Sequence, residues 1–206
     1  DSGQIGIIVL GVFVSALLGA ALAPIVSRRI GKKRGAMIVG LVAFIGAPLP
    51  IVLRLAGLLP PNGDPSVFWL VLATTTLDTA LIICFQVLTA AMIADLVDRA
   101  ELRTGRRSEG VFFAAITFVK KTVLGLGLIA ASFVLTLSAF PVGAKAGEVP
   151  ADTLWRLGAW YVPTSLALWL SMIAVLSSYR LGRDDHEDNL RKLAEARAAA
   201  PPLAPI

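Results

Sequence analysis

Charged side chains are scarce. Asp, Glu, Lys and Arg make up 16% of the 206 residues, where a soluble globular domain carries roughly 25%. Together with a hydrophobic share of 56%, this deficit argues against a soluble domain and puts the chain in the membrane class. Cysteine is limited to Cys84, inside an apolar run, so no disulfide framework exists. Histidine is limited to His186, in the run "DDHED" (Asp184–Asp188). Consecutive helix positions do not converge on one ion, and Arg183, Arg191 and Lys192 balance the acids, so no metal site is expected there. No Gly-rich phosphate loop and no acid, base and nucleophile set stands in the polar segments. The chain therefore reads as a non-enzyme without a resident cofactor. No basic leader with a cleavage site precedes the first apolar run, so that run does not read as a signal peptide. The net charge of +5 points to loop charges that set membrane orientation, not to nucleic acid.

What the chain does have is long apolar runs. A spanning helix needs about 20 mostly apolar residues. Five runs fit: 5–26, 36–57, 67–94, 111–140 and 157–179. They predict an all-α integral membrane bundle over residues 1–182, followed by a tail (183–206) with an amphipathic helix. Pro48 and Pro50 are expected to kink the second span. Gly11, Ser15, Gly19 and Ala23 recur every four residues and predict a helix-packing stripe. "SRRIGKKRG" (Ser27–Gly35) carries five basic residues and no acid, which predicts a cytoplasmic loop. Alternation then puts Leu58–Ser66 and Pro141–Thr153 outside, and Asp95–Glu109 and the tail inside. The first residue falls outside, and five spans with an abrupt start are expected to be part of a larger bundle.

The segment Asp95–Glu109 balances Asp95, Asp98, Glu101 and Glu109 against Arg99, Arg103, Arg106 and Arg107. Inner loops ordinarily carry excess basic charge, so this balance predicts ion pairing, at i, i+3 and i, i+4 spacings if the helix continues into the loop. "ADLVDRAELRTGRRSE" resembles the inner-loop pattern A-D-x-V-D-Y-G-E-x-K-T-G-x-R-x-E of the glycoside–pentoside–hexuronide:cation symporters, the melibiose-permease-like branch of the major facilitator superfamily. Ala94, Asp95, Val97, Asp98, Glu101, Thr104, Gly105, Arg107 and Glu109 match. Arg99, Ala100 and Arg103 stand where that family has Tyr, Gly and Lys. "SRRIGKKRG" is similar to the superfamily motif D-R-x-G-R-K through Arg29, Gly31, Lys32 and Lys33, with Arg28 in place of the acid.

The resemblance covers nearly the whole chain. It implies that the five runs correspond to spans eight to twelve of a twelve-span transporter whose N-terminal half is missing here. The implied function is cation-coupled (Na+ or H+) transport of a sugar or glycoside by alternating access, in a bacterial inner membrane. A lysolipid or other amphiphile is the alternative substrate, and a non-transport membrane protein the rival class. Asp95, Asp98, Glu101, Arg103, Arg107 and Glu109 are the candidate inner-gate charge network.

Three ionisable residues fall within the spans, where burial costs at least ~2.5–3.5 kcal/mol on insertion scales. In "AITFVKKTVLG", Lys121 is expected roughly 16 Å from the inner end of its helix, too deep for its stem to reach the interface easily. Thr117 shares its face at i, i+4, and Lys120 points about 100° away. The resemblance implies that Lys121 and Thr117 line the central cavity. Asp78 is also expected in the core, ~9 Å farther from the inner end than Lys121, which is long for a direct pair between straight helices. A cation or proton site, a structural partner and an uncharged carboxyl all remain readings of Asp78.

Overall fold

The computed structural model describes residues 2–61, 64–105, 109–145 and 148–178. Among these residues there are six helices and no strand: α1 (Ser2–Ile30), α2 (Lys32–Gly46), α3 (Leu49–Leu55), α4 (Pro65–Thr104), α5 (Glu109–Leu137) and α6 (Ala151–Ser177). With α2 and α3 taken as one span, five helices are long and apolar enough to cross a membrane. The fold class is therefore the all-helical membrane bundle that the hydropathy pattern predicts. Arg107, the tail over 183–206 and the acidic run Asp184–Asp188 lie outside the described residues.

Two boundaries differ from the sequence reading for local reasons. The second span is broken, not merely kinked. Pro48 and Pro50 have no N–H to give the preceding turn, so α2 stops at Gly46 and α3 restarts at Leu49. The fourth helix overruns its apolar stretch. It starts where the Asp64 carboxylate accepts hydrogen bonds from the Ser66 N–H (2.8 Å) and hydroxyl (2.6 Å), with Pro65 in the first turn. It continues to Thr104 and stops at Gly105, which takes the left-handed conformation (φ 65°). At 40 residues it is about 60 Å long, well beyond the ~30 Å hydrocarbon core. The charged segment from Asp95 is thus helical, not a loop.

α4 is the hub and packs against α1 and α2, while α6 covers α2 and α3. The core is Ala23, Ala36, Val39, Ala43, Phe44, Cys84, Phe85, Leu88 and Met92. Phe44 of α2 joins three helices. Its ring stacks on Trp169 of α6 (centroids 4.2 Å apart) and meets the edge of Phe85 of α4 (5.3 Å). Most large apolar side chains point outward, because a lipid-facing surface has no reason to bury them.

The four-residue stripe on α1 is the α1–α4 seam. Ser15 and Ala23 are fully buried, and the Ser15 hydroxyl lies 2.7 Å from the Gly11 carbonyl and 2.8 Å from the Thr76 carbonyl. At Gly19 the two backbones nearly touch: a Cβ there would stand 2.5 Å from the Ala80 carbonyl oxygen. We therefore expect Gly19→Ala to destabilise the bundle by about 1–3 kcal/mol, the usual cost of overpacking. Gly125→Ala, on open α5 surface, should be neutral or gain up to ~1 kcal/mol of helix propensity. Thermal unfolding in detergent checks this, and equal effects would show that the seam is not tight.

Candidate functional site

The end of the bundle that holds the α1–α2 turn gathers most of the charge. The turn is a single residue, Gly31, at φ 82° and ψ 159°, a conformation that side chains rarely adopt. It reverses the chain so that Lys32 and Lys33 open α2 and point to different neighbours. The Lys32 ammonium reaches both oxygens of Asp95 on α4, at 2.6 and 2.9 Å. The Asp95 side chain is 7% exposed and that of Lys32 29%. The Lys33 ammonium donates to the Ser177 carbonyl at 2.8 Å, at the C-terminus of α6, where a cation also meets the negative end of the helix dipole. Two adjacent lysines thus tie α4 and α6 to one turn.

The expected charge network is only partly visible here. Asp95, Asp98, Glu101 and Arg103 share the last turns of α4, and Glu109 opens α5. Asp95 is buried, Asp98, Glu101 and Glu109 are half-buried, and Arg103 is exposed. The ion pair seen runs across helices, from Asp95 to Lys32, 63 residues away. Lys32 was absent from the expected network. Its signal was present in the basic motif of the α1–α2 turn, but helical spacing alone cannot reveal a partner on another helix.

The lysines of the fourth span sit on α5, the least enclosed helix, which buries no residue. Its half-buried positions Phe112, Ile116, Ala130 and Val134 form one narrow seam, and α6 is the helix it packs against. At about 100° per residue, Lys120 lies about 60° from the middle of that seam and Lys121 about 160° from it. Thr117, Lys120 and Lys121 are all exposed, and the Thr117 hydroxyl donates to the Phe113 carbonyl one turn back (2.8 Å). Asp78 is not brought to the lysines. It turns toward α2, where a Cβ on Gly46 would stand 3.6 Å from its Oδ1. That oxygen is buried and has no hydrogen-bond partner among the described residues.

The profile of a family described as MFS/sugar transport protein matches residues 1–183. An uncharacterized symporter of Synechocystis sp. is 31% identical over 110 residues, covering 52% of this chain and 20% of that protein. A candidate glycoside/cation symporter of Escherichia coli, YagG, is 29% identical over 108 residues, 52% of this chain and 23% of that protein. The matched region thus spans about a fifth of these relatives' length. No solved structure matches significantly.

The Lys32–Asp95 pair is testable in isolation. Lys32→Gln leaves a nearly buried carboxylate without this cation, and we expect a loss of about 1–3 kcal/mol. Asp95→Asn should cost less, since the surviving ammonium is the more exposed partner. The double substitution should cost less than the sum of the two. A double-mutant cycle read by melting temperature decides it, and strict additivity would remove the pair as a stabilising contact.

Proposed function

The chain belongs to the MFS/sugar transport protein family, and we propose that it supplies the C-terminal spans of a cation-coupled secondary transporter of a sugar or glycoside. The family match over residues 1–183 carries this reading. The small span of the relatives that is matched supports a larger molecule, with a further bundle outside this sequence. Transport then proceeds by rocking the two bundles about a site near mid-membrane, driven by Na+ or H+.

In that frame the residues divide by position. Lys121 and Thr117 face away from the α6 seam, so they turn to the side on which a second bundle would close a cavity. An ammonium there can donate to sugar hydroxyls or pair with an anionic group. Lys120, close to the seam, bounds the cavity from the side. At the other site, Lys32, Asp95, Asp98, Glu101, Arg103, Arg107 and Glu109 form an inner gate in which charge pairs break and reform as the bundles rock. The basic end is cytoplasmic, because its turn concentrates lysine and arginine, and the membrane is the bacterial inner membrane.

Two measurements test the reading. With the intact transporter in proteoliposomes, labelled sugars and glycosides should be taken up along a Na+ or H+ gradient. Lys121→Gln should reach the membrane at near-normal levels and lose this uptake, while Lys120→Gln keeps a substantial part. Uptake of lysolipid and not sugar would replace the substrate class, and equal loss in the two variants would remove the cavity assignment. For orientation, Val142→Cys should react with an impermeant thiol reagent from outside intact cells, and Thr104→Cys should not. The native Cys84 is buried and gives little background. The reverse pattern would invert the topology.

A further inference from the structure

Asp78 is the single charged residue of α4 between Pro65 and Ala94, and what surrounds it is unusual. It stands thirteen residues, about 20 Å, from the start of α4, and Gly46 stands fourteen residues, about 21 Å, from the start of α2. The two helices run antiparallel, so both residues are near mid-membrane. An ionised carboxylate at that depth needs a donor or a cation.

The bundle offers neither. Its basic side chains are engaged at the two ends: Lys32 with Asp95, Lys33 with the Ser177 carbonyl, Arg54 with the Pro60 carbonyl (2.6 Å) and Arg156 with Asp152 (2.7 Å). Asp78 forms no ion pair with Lys120 or Lys121, which lie on a helix that α4 does not principally pack against. The element it does face is rich in acceptors. Pro48 and Pro50 remove the two N–H groups that would answer the carbonyls of Phe44 and Gly46 in a continuous helix. The C-terminus of α2 also carries the negative end of its dipole. A carboxylate oxygen beside carbonyl oxygens is a meeting of acceptors, which cannot satisfy one another.

We propose that Asp78 and the interrupted C-terminus of α2 at Gly46 form a binding site for a hard monovalent cation of the Na+ type. The ligands are all oxygen, the preference of hard cations. A single charge neutralises a single carboxylate, whereas a divalent ion would leave net charge in the bilayer. Among the described residues no group of three His, Cys, Asp or Glu side chains gathers to hold a transition metal. Helix interruptions that turn carbonyls toward a cation are a recurring device of secondary transporters. The inference deepens the transporter reading and rests on it for its role, but the binding can be read without any substrate.

The test is equilibrium binding of 22Na+ to the purified intact protein, with melting temperature in choline chloride as the folding control. Asp78→Asn keeps the shape and removes the charge, and should lower saturable Na+ binding by one ion per chain. Gly46→Ala leaves the carboxylate in place. The added methyl makes ordinary contact with Oδ1 at 3.6 Å, so the helix should fold, but it occupies the space between the acceptors. It should weaken Na+ binding at this site severalfold. Full retention of Na+ stoichiometry in Asp78→Asn overturns the proposal. If that variant does not fold, unchanged affinity in Gly46→Ala overturns it alone. Sodium bound elsewhere in the protein is common to all variants and cancels in the comparison. Loss of Na+ binding with sugar uptake absent in the wild type would sink the transport reading and leave the cation site standing.

Discussion

The close approach of α1 to α4 is the contact on which the rest of the bundle depends. Lipid tails are as apolar as leucine, so hiding apolar side chains from lipid gives helices little reason to associate. What remains is van der Waals contact at short range and a few hydrogen bonds. Gly19 sets that range by leaving no Cβ between its backbone and the Ala80 carbonyl. Ser15 and Ala23 keep it narrow one turn to each side, and the Ser15 hydroxyl adds a cross-helix bond to the Thr76 carbonyl. With α1 fixed, α4 presents Cys84, Phe85, Leu88 and Met92 to α2. Phe44 then hands the packing on to Trp169 of α6.

That apolar seam fixes distance but resists sliding poorly, since small residues at every fourth position nearly repeat one another. The polar contacts at the basic end are position-specific. Lys32 can meet Asp95 with both oxygens in one register only, and Lys33 can reach the Ser177 carbonyl only if α6 ends where it does. Gly31 is what lets both happen, because its positive φ turns the chain within one residue. The basic motif in "SRRIGKKRG" therefore has a structural purpose beside its bias on orientation.

How much of this was legible follows from what each signal measures. Hydropathy counts apolar residues along the chain, so it found the five spans, and a four-residue repeat of small residues found the α1–α4 seam. It could not see that α4 runs on to Thr104, because beyond Ala94 the helix is charged and held by pairing and a left-handed Gly105 cap. It could not choose Lys32 as the partner of Asp95 either, since helical spacing relates residues within one helix. For Lys120 and Lys121 the spacing correctly placed them on different faces. Which face meets a neighbour became visible only through the half-buried Phe112, Ile116, Ala130 and Val134. Asp78 was flagged by depth alone, and its opposition to Gly46 came from the fold.

The charged residues then separate into two sets by whether the bundle answers them. Lys32, Lys33, Arg54, Arg156 and Asp95 each have a partner, and all stand near helix ends where a small displacement can be met by water. Asp78 is half-buried within a span with an unanswered oxygen, and Lys121 is exposed within another, away from the seam to α6. Leaving an ionisable group unanswered at that depth costs at least ~2.5–3.5 kcal/mol on insertion scales. Leucine at either position would avoid the cost without disturbing a contact the bundle makes. The packing of these helices therefore does not require either residue. What they require is something from outside the packing: an ion for the carboxylate, and a ligand or a second bundle for the ammonium.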